Sequence, residues 1–521
     1  MKKVVRFFLF TICSGILWSG CGMGGKEGTV IQEQTQNTAG GKAGVYHVGT
    51  DVLPYTEESL YQQLFDIRNK VEIALDISAG ELQKLQEDYE NYDGRGSKSP
   101  VYRKASIRIT ITTEQDTCTY ILDNIGVRMK GNTSRTDFYS EEKGQYNLIH
   151  FKVDFGGQTF ATLEKLELRW NKNDDSTYIR EYYAYEMYRD MGVLAPHINL
   201  AVMEVAGVHQ GVFTIGEPVD KQFMEKYVAE ADQGGDLYKC NWANGTGANL
   251  TSVCSVGVED EETGAFYNYD LKTNKKKSAH EQMYHLLEVL NKPEVTKEEI
   301  AAVVDMENFL AFEAVTYFTG NPDDIRNDYN NYYIYFLKSS GKAVLIPYDA
   351  DRVFGLTKDW NPLGDAMTGV SPFSTKAESM GILQENPLYI HTVNEGGYYV
   401  EEFKKVLEKA ADSQWLTIEQ FHKVYETVFQ HYSGETKTEK VYENAVAHNF
   451  LMDLERSDGL DSTEGNASFA EYLEAKMEIY RKFANMLKKS VKYVIIKNRE
   501  CEKKDVQTAL CIAVGKGKQR I

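Results

Sequence analysis

Asn321-Pro322-Asp323-Asp324-Ile325-Arg326-Asn327-Asp328 leads into an apolar run, Asn331 to Leu337, and a second run, Ala343 to Pro347, leads out into Tyr348-Asp349-Ala350-Asp351-Arg352-Val353-Phe354-Gly355. The two runs are rich in aromatic and β-branched residues and meet at Ser340-Gly341, which predicts a hairpin. A helical pattern over 297–318, stopped by Gly320, precedes it. The hairpin therefore returns the chain on itself and sets two acidic clusters face to face. Asp and Asn beside a hairpin are also ordinary turn formers, and D-x-D arises by chance. The same arrangement suits phosphoryl transfer, where carboxylates hold a divalent cation against phosphates and another Asp accepts the proton of the attacking hydroxyl.

Outward from this stretch the patterns differ. Downstream and just upstream, helical spacing dominates (279–291, 400–411, 417–431, 438–454, 466–490). Toward the N-terminus, Val71 to Ile77, Ala105 to Thr112, Tyr120 to Met129 and Ile149 to Phe155 alternate apolar and polar residues as strands, and an antiparallel sheet is the simplest pairing. A helix is expected from a cap at Asp175 or Ser176 to about Met191, followed by a hairpin around Gly207. The fold class is α+β, with a sheet-rich N-lobe over 51–230, a helical C-lobe carrying the hairpin over 231–490, and a basic tail over 491–521.

The chain has 521 residues and a net charge of −19, which repels phosphate backbones and argues against nucleic acid as a partner. Its seven cysteines include no C-x-x-C pair, so zinc ribbons and thioredoxin-like chemistry are disfavoured. Lys2, Lys3 and Arg6 precede an apolar run from Phe7 to Trp18, too short for the roughly 20 residues that span a bilayer and suited to a signal peptide over 1–20. Leu17-Trp18-Ser19-Gly20-Cys21 resembles a lipobox, with Trp18 where Leu is usual. Residues 21–50 read as a flexible tether reaching roughly 25 to 30 Å. The expected location is outside the cytoplasm, at the membrane through a lipidated Cys21 or at the cell surface.

Protein kinases place a loop Asp, a downstream Asn, a hairpin and a metal-binding Asp in the order found here. Five stretches in this order resemble the CotH family of spore-coat protein kinases: Val127-Arg128-Met129-Lys130-Gly131-Asn132-Thr133-Ser134, Tyr178 to Asp190, Gly235-Asp236-Leu237-Tyr238-Lys239, and the Asp323 and Asp349 segments. The resemblance runs from about residue 70 to about 430. It implies an atypical protein-kinase-like two-lobe fold that uses ATP and Mg²⁺ or Mn²⁺ to phosphorylate Ser or Thr of a protein. By the resemblance Asp323 is the catalytic Asp and Asp349 the metal Asp, with Asp351 and Asn331 as helpers. Lys130, Asn132 and Ser134 match the family's R-G-N-[ST]-S turn, with Lys for Arg. Lys152 and Glu181 are placed as the nucleotide lysine and its helix Glu, although the family commonly has its lysine nearer Ile149; Lys143 is a further candidate. Glu217 and Lys221 stand where an interlobe connection would run.

Two other readings compete. One is a catalytically inactive kinase-like module for adhesion or assembly; the other takes Asp349-Ala350-Asp351 as the D-x-D of a nucleotide-sugar transferase. His280 and His285 fall ~140° apart on a helix and do not form a zincin pair. No Walker A or G-x-S-x-G motif is present. Mass spectrometry of the mature N-terminus tests the export reading: cleavage after Gly20 with a diacylated Cys21 is expected, and a start elsewhere or an unmodified cysteine contradicts it.

Overall fold

Ile107, Ile109 and Ile111 alternate with Arg108 and Thr110, and in the computed structural model all three isoleucines are buried on one face of a strand. The structure describes residues 43–92, 99–131, 135–140, 145–173, 175–260, 263–356, 371–374, 386–435 and 467–484. Within the first part lie strands β1 (Gly44–His47), β2 (Lys70–Asp76), β3 (Arg103–Thr112), β4 (Thr117–Lys130), the short pair β5 (Tyr139–Ser140) and β6 (Gln145–Tyr146), β7 (His150–Asp154), β8 (Lys165–Trp170), β9 (Ile198–Val205) and β10 (Val208–Gly216). Helices α1 (Glu57–Phe65), α2 (Ala79–Asn91) and α3 (Arg180–Asp190) separate them.

Seven of these strands close a barrel in the order β4-β3-β2-β9-β10-β8-β7, with β7 pairing back onto β4 through Val127 opposite Val153. The sheet is not wholly antiparallel as expected: β2 runs parallel to β9, and β1 joins β4 in parallel. Parallel pairing follows from the long crossover between β2 and β9, which returns the chain in its original direction. Closure is possible because β4 is long enough to pair with β3 along most of its length while its end, Gly126 to Lys130, pairs with β7. The interior is filled by side chains including Val71, Ile73, Leu122, Phe151, Leu166 and Phe213, with Leu60 and Leu64 of α1 in the same cluster.

Strand β9 is apolar on both faces because it serves two cores. Ala201, Met203 and Val205 belong to the barrel, while Ile198, Leu200 and Val202 belong to the larger helical core. That second core contains α5 (Glu281–Leu290), α6 (Lys297–Val303), α7 (Met306–Thr319), α8 (Pro387–His391), α9 (Val400–Ala411) and α10 (Ile418–Tyr432), which follow the short α4 (Lys221–Tyr227). A further helix spans 469–484. Helix α7 is buried from Phe309 to Thr319 and packs on α3, α9 and the hairpin, so it is central rather than amphipathic. The single helix expected over 297–318 is broken at Val304 and Asp305, because the Asp305 carboxylate accepts the Asn308 N–H and starts α7 afresh. Helix α3 likewise begins later than expected. Asp175 still caps, but across a loop, accepting the Thr177 and Arg180 N–H groups at 3.0 and 2.9 Å.

The second half is less purely helical than its pattern implied. The predicted hairpin, β14 (Tyr332–Phe336) and β15 (Ala343–Pro347), lies at the edge of a five-stranded sheet with β11 (Leu237–Cys240), β12 (Val256–Gly257) and β13 (Tyr269–Leu271), in the order β12-β13-β11-β14-β15. The helical pattern at 438–454 lies outside the described residues, as do the leader, the tether up to residue 42 and the basic tail. Among the described residues no helix is long and apolar enough to cross a membrane.

Two buried arginines fasten the loops around the hairpin. Arg180 donates to the Phe354 and Ala467 carbonyls, both at 2.9 Å, and lies 3.4 Å from the Asp175 carboxylate. Arg326 pairs with Glu313 of α7, which also accepts the Tyr389 hydroxyl, and donates to the Ser371 carbonyl at 2.8 Å. Removing one partner from such a pair leaves a buried charge uncompensated, at a cost of about 3 to 5 kcal/mol.

Candidate active site

Strand periodicity aims charged side chains into a cleft of about 1110 Å³ lined by β4, β7, β8, β11, β13 and the loops around the hairpin. On β8, Leu166 and Leu168 enter the barrel, while Lys165, Glu167 and Arg169 line the cleft. Lys130 ends β4 and Lys152 lies on β7 directly opposite Glu167. From the second sheet come Lys239 on β11, Asp270 opposite it on β13, and Tyr333 on β14.

The hairpin register brings the two acidic segments together as the sequence implied. Tyr332 pairs with Pro347, and beyond that pair the Tyr348 N–H donates to the Asn331 carbonyl at 3.2 Å. Asp323, Asp328, Asn330, Asn331, Asp349, Asp351 and Arg352 all line the cleft. The loop that carries Asp323 is folded about Asp324, whose carboxylate accepts the Arg326 and Asn327 N–H groups, each at 2.9 Å. Asp323 is held by the Asn321 side chain at its N–H (2.9 Å) and by Asn330, whose amide donates to its carboxylate at 3.1 Å. Tyr329, Asn331 and Asp349 have φ of 54°, 53° and 55°. Three non-glycine residues in the left-handed region beside one cleft mark a backbone held there by its surroundings, a common feature of functional sites.

The electrostatics divide the carboxylates. Burial pushes the Asp328 carboxyl up to about 8, helped by the charge of Asp323 and a hydrogen bond in which Asp328 holds the proton. Asp323 is also raised by burial, and the hydrogen bonds from Asn330 and Asp328 and the nearby Arg352 oppose that rise. At Asp349 burial works against ionisation, but Lys130, Arg169 and Lys239 outweigh it and hold its carboxyl below the usual range. Asp351 is pushed well up by burial and by the charges of Asp349 and Glu181. His150 falls to about 3 through burial and the neighbouring Lys130 and Arg169, so it is a neutral ring at physiological pH.

The site residues expected from sequence are partly assembled here. Lys130, Lys152, Glu181, Asp323, Asn331, Asp349 and Asp351 share the cleft. Lys152 and Glu181 do not pair with each other: Lys152 lies 3.9 Å from Glu167, while Glu181 binds Arg169 at 2.6 Å. Arg169, one position past Leu168 on the strand, reaches α3 and so takes the partner expected for the lysine. Glu217 lies outside the cleft. It is buried against His197 and Tyr227, accepting the His197 N–H at 2.9 Å and the Tyr227 hydroxyl at 3.0 Å. Lys221 is exposed and pairs with Glu225. Asn132, Ser134 and Lys143 lie outside the described residues.

A family model for the CotH kinase protein matches residues 127–479, well over half of the chain. The chain belongs to the CotH family. It is also similar to the inner spore coat protein H of Bacillus subtilis (strain 168), with 24% identity over 240 residues, 45% of this chain. That match spans 63% of the relative's length.

In this CotH protein the cleft residues Glu167, Arg169 and His150 escaped the sequence reading, while Lys239, Asp328 and Arg352 stood in the quoted stretches without a role of their own. The segment Lys165-Leu166-Glu167-Leu168-Arg169 carried a usable signal, since charges at every second position between leucines mark a strand with one face in a core and the other in a polar cleft. A divalent cation fits the donor set. Among the described residues no group of three carboxylate, histidine or cysteine side chains forms a cage, but the mutually repelling Asp349 and Asp351 offer what Mg²⁺ needs when phosphate oxygens and water complete its shell.

The Asp328 proton gives a pH test. Its carboxyl rises from 3.8 to about 8 on folding, so the native state keeps a proton that the unfolded chain releases. The associated stability is complete below about pH 4 and is lost as pH rises through about 8. In chelator, thermal unfolding of the parent is therefore expected to fall more steeply than that of Asp328→Asn as pH rises from about 5 to 8. Parallel profiles would contradict the shared proton.

Proposed function

We propose that this protein is a phosphotransferase that moves the γ-phosphoryl group of ATP to a Ser or Thr hydroxyl of a surface or spore-coat protein. The observation that carries the reading is the meeting of Asp323 with Asp349 and Asp351 in a cleft whose other walls supply Lys130, Lys152, Arg169 and Lys239. The barrel then takes the part of a kinase N-lobe and the helical half, with its hairpin, that of the C-lobe. The coat or surface acceptor is inferred from family membership and from the relative's being an inner spore coat protein.

In this scheme Lys130, Lys152, Arg169 and Lys239 bind and orient the phosphates of ATP. Asp349 and Asp351, with Asn331 nearby, would hold Mg²⁺ or Mn²⁺, which would supply neutralisation of the phosphate charge. Asp323 accepts the proton as the acceptor oxygen bonds to the γ-phosphorus and the bond to the β-phosphate oxygen breaks. Arg352, next to Asp351, offsets the negative charge that Asp323 and Asp328 share. An exported chain anchored through Cys21 would present this cleft to proteins at the cell or spore surface.

The test is the initial rate of phosphate transfer from labelled ATP to a Ser-rich basic peptide, with Mg²⁺ or Mn²⁺, in the parent and in Asp323→Asn. The variant is expected to keep metal-dependent nucleotide binding and lose ~10² or more in rate, the scale of general-base loss. Equal rates would remove Asp323 from the chemistry. Nucleotide binding without turnover in the parent would favour the inactive module, and use of a nucleotide sugar in place of ATP would favour the glycosyl-transfer reading.

A further inference from the structure

Glu167 is a buried carboxylate on the barrel side of the cleft, with 7% of its surface exposed. A buried carboxylate is costly unless it is paired, and this one has two cations. The Lys130 ammonium lies 2.8 Å from one oxygen and the Lys152 ammonium 3.9 Å from the other. The two lysines come from different strands, β4 and β7, that pair with each other, and Lys152 is directly cross-strand from Glu167.

We propose that Glu167 is the positioning residue of the nucleotide site, one carboxylate that draws the Lys130 and Lys152 side chains together from two strands and aims both at the phosphates. The inference rests on the phosphotransferase reading and assigns to a barrel strand the task that a helix Glu was expected to perform. Glu181 is committed elsewhere, to Arg169 at 2.6 Å, and Arg169 in turn lies 3.6 Å from Asp349. The lysines and the arginine that faces the metal-binding Asp thus rest on separate carboxylates, Glu167 and Glu181.

The charges around Lys152 make the role measurable. Glu167 on β8 and Asp220 beyond β10 favour its ammonium form, whereas burial and the cations Arg128 and Lys130 on β4 disfavour it, and the sum leaves Lys152 below the ordinary lysine range. Glu167 itself is driven down to about 2: burial opposes its ionisation, but Lys130 and Lys152 prevail. Taking away its charge removes the largest influence that keeps Lys152 protonated.

Binding of a fluorescent ATP analogue to the full chain, measured from about pH 6 to 10 in the parent and in Glu167→Gln, tests the proposal. The isosteric variant is expected to bind at least about tenfold more weakly at pH 8, with the alkaline loss of binding moved to lower pH. A residue that only supports the fold would lower thermal stability and leave the alkaline limb in place. Unchanged affinity and an unchanged limb in Glu167→Gln would overturn the role while leaving the phosphotransferase reading intact. Absence of nucleotide binding by the parent at any pH would overturn both. Should Glu167→Gln fail to fold, Lys152→Arg carries the test, since a guanidinium stays charged throughout this range. The alkaline limb is then expected to flatten, and a limb identical to the parent's would overturn the proposal.

Discussion

The register of the β14–β15 hairpin is the constraint on which the site depends. Its last pair, Tyr332 with Pro347, and the hydrogen bond from Tyr348 N–H to Asn331 carbonyl fix the distance between the two loops that flank it. A slip of one residue would turn Tyr333 and Tyr335 from the small core beside α4 to the opposite face and carry Asp349 away from Asp323. The surrounding structure resists such a slip. Strand β11 pairs along β14 on one side, α7 packs behind the hairpin, and Arg180 and Arg326 tie the flanking loops to carbonyls in other segments.

Charge compensation is the second constraint. The chain as a whole carries −19, yet its cleft gathers lysines and arginines from four strands among the acidic residues. Each buried ion there has a specific counterpart: Glu167 with Lys130 and Lys152, Glu181 with Arg169, Asp270 with Lys272. Asp323 and Asp328 solve the same problem by sharing a proton. Asp349 and Asp351 are the exception in kind, since Asp349 is held ionised by surrounding cations while Asp351 is pressed toward neutrality beside it. A pair unbalanced in this way is suited to receive a dication.

Much of this was legible in the sequence where the determinants are local. Alternation located β2, β3, β4 and β7, Gly207 marked the β9–β10 hairpin, Gly320 ended α7, and the facing of Asp323 and Asp349 followed from a short hairpin between them. Long-range pairing was not legible. Barrel closure depends on the end of β4 meeting β7, and the parallel β2–β9 pair depends on a crossover of more than a hundred residues, neither of which leaves a local pattern. Strands β11, β12 and β13 are two to four residues long, too short for periodicity to show. Glu217 was chosen for its place after a strand, but its partners His197 and Tyr227 make it part of the packing between α4 and the barrel rather than of the cleft. Glu181 sits in the cleft as expected, and only the three-dimensional reach of Arg169 decides which cation it serves.

The central claim is that the two acidic loops form one metal-nucleotide site. A crystal structure with Mn²⁺ and a non-hydrolysable ATP analogue tests it most directly, through the anomalous scattering of manganese. The account predicts a manganese peak in contact with the Asp349 and Asp351 carboxylates, with the γ-phosphate between it and Asp323. Manganese bound away from both residues, or a nucleotide bound outside the cleft, would contradict it.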